Sequence, residues 1–186
     1  MSVLAIYPET GSEPAEIVRD VKKISKILDG IGVLFEKWEA AVIMTETVSQ
    51  EDVLHAYDEQ VSRLKKQYNF QAADVISMHP EHSDREALRK KFLSEHTHAD
   101  YEIRFFVEGS GLFYLHVENI VYAVLCEAGN LISVPANTTH WFDMGSRPSF
   151  KCIRLFTDPA GWVGHNTGSD ISSLFPDYDT FIDDFK

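Results

Sequence analysis

Cysteine is nearly absent from this 186-residue chain, which carries only Cys126 and Cys152. Their spacing builds neither a disulfide framework nor a zinc knuckle, so two buried thiols in a reducing compartment are expected and a packed core must hold the fold. Positive charge is also scarce: 17 Lys and Arg against 29 Asp and Glu leave a formal net charge of -12. Nucleic acid and anionic membranes both need a basic face, so neither is expected as a partner. No apolar run is long enough to cross a bilayer as a helix. Met1 to Glu9 lacks a basic leader and has only a short apolar stretch, so no signal peptide is expected and the protein is placed in the cytoplasm. A Gly-rich phosphate loop and a nucleophile elbow are both missing, which leaves those two chemistries without support; Ser133 reads as a strand residue only. Nor is there a Pro-, Gly- or Ser-rich linker or an internal repeat, so residues 1–186 are expected to form a single domain.

What is present supports a globular core, with 44% hydrophobic residues. Residues 1–93 read as helix-rich. Ser12 to Ala15 open a segment in which Ile17, Val21, Ile24 and Leu28 recur at helical spacing, and Gly30 closes it. Ile31 to Trp38 reads as a strand. Val53, Tyr57, Val61 and Leu64 mark a helix starting after Ser49, Ala72 to Met78 a short strand, and Asp84 to Leu93 a helix leading to His96. Across 94–160 the texture changes to short runs of Val, Ile, Phe and Tyr punctuated by Gly109, Gly111, Gly129, Pro135, Gly145 and Pro148. That pattern predicts antiparallel strands closing into a β-barrel or jelly roll, with the N-terminal helices packed on it. Residues 168–186, rich in Asp, are expected to be a loosely ordered acidic tail.

The chemistry concentrates in Glu95-His96-Thr97-His98-Ala99-Asp100-Tyr101-Glu102-Ile103-Arg104, answered later by His140. In a strand, His96 and His98 face the same way. Reaching Glu102 by straight extension would span about 13 Å, too far for shared coordination, so a bend is expected at Ala99 to Tyr101. Period two then puts Arg104 on the side of Glu102. Three imidazoles and one carboxylate suit iron, nickel, manganese or zinc and leave positions on a six-coordinate ion for a chelating substrate. His55, His79, His82, His116 and His165 lack such context and are read as ordinary histidines.

The run His96-x-His98-x3-Glu102-x6-Gly109 resembles the first signature of the cupin superfamily, and Gly129-x5-Pro135-x4-His140 the second. Lys90, Asn137 and Met144 depart from that pattern without removing a ligand, and Asn137 tolerates the left-handed backbone a glycine would take. Lys91 to His98, Glu102 to Gly111, Leu131 to Pro135 and His140-Trp141-Phe142-Asp143-Met144-Gly145 narrow the resemblance to the acireductone dioxygenase family of methionine salvage. Tyr101 stands where relatives often carry an acid.

That resemblance implies a cupin β-barrel holding one Fe(II) or Ni(II) per chain on His96, His98, Glu102 and His140. It implies oxidative cleavage by O2 of an acireductone, a methylthio-tailed enediol that chelates the metal. The iron form would yield an α-keto acid and formate, and the nickel form methylthiopropionate, formate and carbon monoxide. Arg104 and Arg154 could balance the anionic substrate, Phe92, Phe142 and Trp162 could line an apolar slot for its tail, and Asp100 could act as a general base. Two alternatives stay open. One is a different metal-dependent cupin oxygenase or isomerase, the other a non-catalytic metal-binding cupin. A monomer is expected, since no exposed apolar stripe is evident.

Overall fold

The computed structural model describes residues 1–11, 13–39, 49–158 and 163–186. Along the chain its elements are β1 (Val3–Pro8), β2 (Glu16–Val18), α1 (Val21–Asp29), β3 (Leu34–Lys37), α2 (Gln50–Ala56), α3 (Asp58–Tyr68), β4 (Ala72–Met78) and α4 (Arg85–Leu93). There follow β5 (His96–Thr97), β6 (Glu102–Val117), β7 (Ile120–Glu127), β8 (Asn130–Val134), β9 (Thr139–Asp143), β10 (Phe150–Phe156) and β11 (His165–Asn166). A short three-ten turn at Ile171–Leu174 and α5 (Tyr178–Phe185) close the chain.

The long strand β6 organises the sheet. Its first half pairs antiparallel with β8 and β10, its second half with β7 and β9. One side therefore runs β11-β5-β9-β6-β7-β1-β2 and the other β4-β10-β6-β8-β3, two sheets sharing a bent strand in the manner of a cupin-type barrel. Gly109 makes the corner with φ 70°, and a Cβ there would fall 1.8 Å from the Ser149 carbonyl oxygen, so only glycine fits. The pairing register with β10 shifts at Lys151/Cys152, beside that corner.

Alternation along β6 feeds three apolar layers. Phe106, Phe113 and Leu115 point between the sheets with Phe35, Ile132 and Phe142, and α1 adds Ile24 and Leu28. Ile103, Phe105 and Val107 point outward under Val53 of α2 and Val61 and Leu64 of α3. Leu112 and Tyr114 lie on the opposite outer face with Trp141, covered by Phe175 and by Phe181 of α5. The thiols of Cys126 and Cys152 are both fully buried and unpaired in any disulfide.

Several expectations are corrected by tertiary context. Ile17 belongs to β2, paired with Ala5, and not to the first helix. That helix starts at Val21, where the Lys23 N–H donates to the Asp20 carboxylate at 2.9 Å and caps it. The expected single helix after Ser49 is two helices that break at Tyr57. The acidic end is not loosely ordered: Asp177 accepts from the Thr180 N–H to cap α5, whose Phe181 is fully buried. The strand β1 was not anticipated at all. Among the described residues no helix is long and apolar enough to cross a membrane.

Candidate metal centre

The bend expected after His98 occurs: β5 ends at Thr97 and β6 begins at Glu102. His96 on β5 lies directly opposite His140 on β9, and His140 is also paired with Leu115 near the far end of β6. The folded-over strand thus brings Glu102, at its start, to the histidines beside its end. One ligand-type atom from each of His96, His98, Glu102 and His140 lies within 4.8 Å of the others, and all four side chains are buried.

Each imidazole is fixed from behind. His96 Nδ1–H donates to the Ser94 carbonyl at 2.6 Å, His98 Nδ1–H to the Val163 carbonyl at 2.9 Å and His140 Nδ1–H to the Thr138 carbonyl at 2.8 Å. A carbonyl can only accept, so each Nδ1 carries a proton and Nε2 is left as the ring atom a metal would take. Glu102 Oε2 lies 2.9 Å from His98 Nε2 and 3.1 Å from His140 Nε2. Four converging groups, three imidazoles and a carboxylate, form a cluster able to hold a first-row divalent ion.

Electrostatics act on the donors differently. Burial, reinforced by neighbouring His140, pushes His96 down to about 4, so it is neutral and ready to coordinate at ordinary pH. Burial opposes ionisation of Glu102, yet the Arg104 guanidinium and then the hydrogen bonds from His140 and His98 hold its carboxyl well below the usual range. Burial is the largest single influence on His98 and lowers it, but the hydrogen bond to Glu102, the charge of that carboxylate and the bond to the Val163 carbonyl together outweigh it and raise it, so a metal would displace the proton that Nε2 shares with Glu102.

Arg104 stands on the same face as Glu102, as period two requires, and its Nε donates to Glu102 Oε1 at 2.7 Å. Three rings surround its guanidinium carbon, with centroids at 4.6 Å for Phe142, 5.6 Å for Phe113 and 5.7 Å for Phe92. Phe92 and Phe142 are therefore brought to the site. Phe113 was missed; its signal was its place two residues after Gly111 on the inward face of β6. A Cβ on Gly111 would sit 2.4 Å from two Phe142 ring atoms, so the glycine makes room for that ring.

The remaining expected residues divide. Arg154 is the β-sheet partner of Arg104 and so shares its face, but it is held by a two-pronged pair to Asp74 at 2.8 and 2.6 Å. Asp100 is engaged in the turn: it accepts from the Tyr101 N–H at 2.7 Å, the Thr157 N–H at 3.0 Å and the Thr157 hydroxyl. This bonding suits a turn acid better than a general base. Tyr101 faces outward and packs on Tyr68 at 5.5 Å, away from the inward face of Glu102. Trp162, like Ser12, lies outside the described residues. Asn137 takes the left-handed φ of 63° expected of a glycine substitute, and its N–H donates to the His98 carbonyl at 2.8 Å.

Comparison with known proteins agrees with the geometry. Residues 5–164 match the ARD/ARD' family. The chain is 53% identical to an acireductone dioxygenase of Methylococcus capsulatus, covering 98% of each chain. It is 52% identical to one from Aquifex aeolicus, over 98% of this chain and 99% of that one. Among solved structures it resembles an acireductone dioxygenase from Bacillus anthracis with a cadmium ion in its active center. That match has a TM-score of 0.80 at 28% identity and covers 89% of this chain and 98% of the other. With a family match across most of its length and such relatives over nearly all of it, the chain belongs to the ARD/ARD' family.

Proposed function

We propose that this protein is an acireductone dioxygenase, cleaving a methylthio-tailed acireductone with O2 at one Fe(II) or Ni(II) per chain held by His96, His98, Glu102 and His140. The observation that carries the reading is the convergence of three imidazoles, each fixed by an Nδ1–H to carbonyl bond, with one carboxylate. A bound divalent ion would supply Lewis acidity and open positions for the two oxygens of a chelating enediolate.

The chain's own residues do the rest. Arg104 offers positive charge beside Glu102, in a site walled by Phe92, Phe113 and Phe142 where little water competes, and so favours a doubly deprotonated substrate. The same rings present an apolar surface for the methylthio tail, and Trp162 is proposed as a further residue contacting that tail. Arg154 on the neighbouring strand adds a second cation, moderated by Asp74. Asp100 orders the bend that lets His98 and Glu102 meet. We read the chain as one domain, because β6 contributes to all three apolar layers. We read it also as a cytoplasmic monomer. Exposed Ile17 and Ile120 oppose Ala5 and Pro8 of β1, so they point to opposite faces of the sheet and make no stripe.

The test is oxygen-dependent loss of acireductone by metal-stripped protein reloaded separately with Fe(II) and Ni(II). Turnover giving an α-keto acid and formate with iron, and carbon monoxide with nickel, is expected. No turnover with either ion, in protein shown to hold it, would overturn the reading.

A further inference from the structure

The tautomer of His98 depends on a backbone carbonyl, that of Val163. The segment that carries it lies against the ligand rings: a Cβ on Gly164 would sit 3.6 Å from His98 Cε1 and 3.8 Å from His96 Cδ2. Beyond it, β11 pairs with Thr97 and His96. The next residue, Thr167, is tied by its N–H to the Glu95 carbonyl at 3.1 Å and by its hydroxyl to the Glu95 carboxylate at 2.6 Å. Glu95 is 4% exposed, and its other oxygen accepts from His116 Nδ1–H at 2.8 Å on β6. His116 in turn faces Glu9 through Nε2 at 3.4 Å.

A buried carboxylate adjoining a metal ligand is costly unless donors hold it, and here the donors come from the barrel wall on one side and from the covering segment on the other. We propose that Glu95 is a positioning residue: bridging His116 and Thr167, it anchors residues 163–167 so that the Val163 carbonyl orients His98 for the metal. This inference rests on the proposed metal site. The histidine at 116, ordinary by its sequence context, is then the fixed post of that anchor.

The anchor acts through hydrogen-bond geometry and not through charge, which sets the test. Thr167→Val removes the hydroxyl at an exposed position and keeps the side chain's shape. Its Ni(II) dissociation constant should rise about 3- to 10-fold, less than the ~10–100-fold typical of a group bonded directly to a ligand. In protein loaded with diamagnetic Zn(II), nitrogen-edited proton NMR should show the His98 Nδ1–H exchanging with solvent about ten times faster or more, with His140 Nδ1–H unchanged, because it bonds Thr138 in another loop. Glu95→Gln should restore near-normal Ni(II) affinity, since its amide oxygen can accept from His116 and its amide nitrogen can donate to the Thr167 oxygen; Glu95→Ala should not. Unchanged affinity and exchange in Thr167→Val would overturn the inference. So would equal acceleration at His98 and His140, which means general loosening, or a Gln variant as impaired as the Ala variant. Failure of the unaltered chain to bind Ni(II) would instead remove the metal reading, and the anchor's role with it.

Discussion

Asp143 is the residue whose loss should be felt most widely outside the metal centre. It is fully buried, and its two oxygens accept from Arg89 Nε at 2.7 Å, Arg89 Nη2 at 2.9 Å, the Gly145 N–H at 2.9 Å and the Tyr178 N–H at 2.8 Å. It thereby joins the end of β9, which carries His140, to α4, which leads to His96, and to the start of α5. Replacing it by alanine leaves the Arg89 guanidinium with only its longer contacts to Asp177 and Asp179, at 3.4 and 3.8 Å, and strands two peptide N–H groups. Breaking a buried pair costs about 3–5 kcal/mol, and the partial exposure of Arg89 favours the lower end. For a chain of this size each kcal/mol moves the midpoint by ~2–4 °C, so Asp143→Ala should lower Tm by about 6–20 °C. Asp143→Asn keeps one acceptor oxygen and should lose roughly half as much. Thermal unfolding of metal-free protein by circular dichroism measures both, and combination with Arg89→Met should be strongly non-additive. A Tm for Asp143→Ala within about 2 °C of the parent would refute the reasoning, as would simple additivity with the arginine variant.

Other substitutions separate site from scaffold. Arg104→Met should retain the metal but lower kcat/KM by about 10- to 150-fold, the equivalent of ~1.5–3 kcal/mol of lost charge-assisted bonding; unchanged kinetics would make the arginine purely structural. Gly111→Ala should destabilise the fold by about 1–3 kcal/mol and alter KM by displacing the Phe142 ring. Since the φ of Gly111 is not among the positive ones, a Phe142→Leu change that opens space should recover stability, and no recovery would count against the steric argument. Tyr7 is pushed up from 10.0 to about 12, first by burial and then by Asp184 and Glu13. The unfolded chain ionises this group first, so its contribution is complete below about pH 10 and is lost as pH rises towards 12, up to about 3 kcal/mol. Tyr7 Oη has no hydrogen-bond partner among the described residues, so Tyr7→Phe should flatten that alkaline loss and gain about 1 kcal/mol at neutral pH; an unchanged alkaline limb in urea titrations would contradict this.

The candidate metal-holding cluster was legible because its chemistry is local: His96, His98 and Glu102 sit within seven residues, and period two carries Arg104 to the same side. The β-rich middle was legible from alternation, and Ala72–Met78 matches the expected strand. The strand β1 escaped because it is buried on both faces, with Leu4 in the inner layer and Val3, Ala5 and Tyr7 in an outer one, so its apolar residues do not alternate. Its main partner, β7, is distant in sequence. Ile17 mimicked a helical position because a short edge strand and a helix start share the same few residues. The tail misled by its aspartates, for the aromatic face of α5 has meaning only against Tyr114, Trp141 and Phe175, which long-range folding supplies. Asp100 and Arg154 stood out by their closeness to the histidines and to Arg104, but their partners Thr157 and Asp74 could not be read from spacing.

The decisive measurement is the metal content of the unaltered chain beside His96→Ala, His98→Ala, Glu102→Ala and His140→Ala, each shown to be folded and each loaded with Fe(II) or Ni(II) under the same conditions. One tightly held ion per chain in the parent, and its loss together with acireductone turnover in every variant, is the predicted result. Full occupancy in any one of the four, or turnover that survives without the ion, would contradict it.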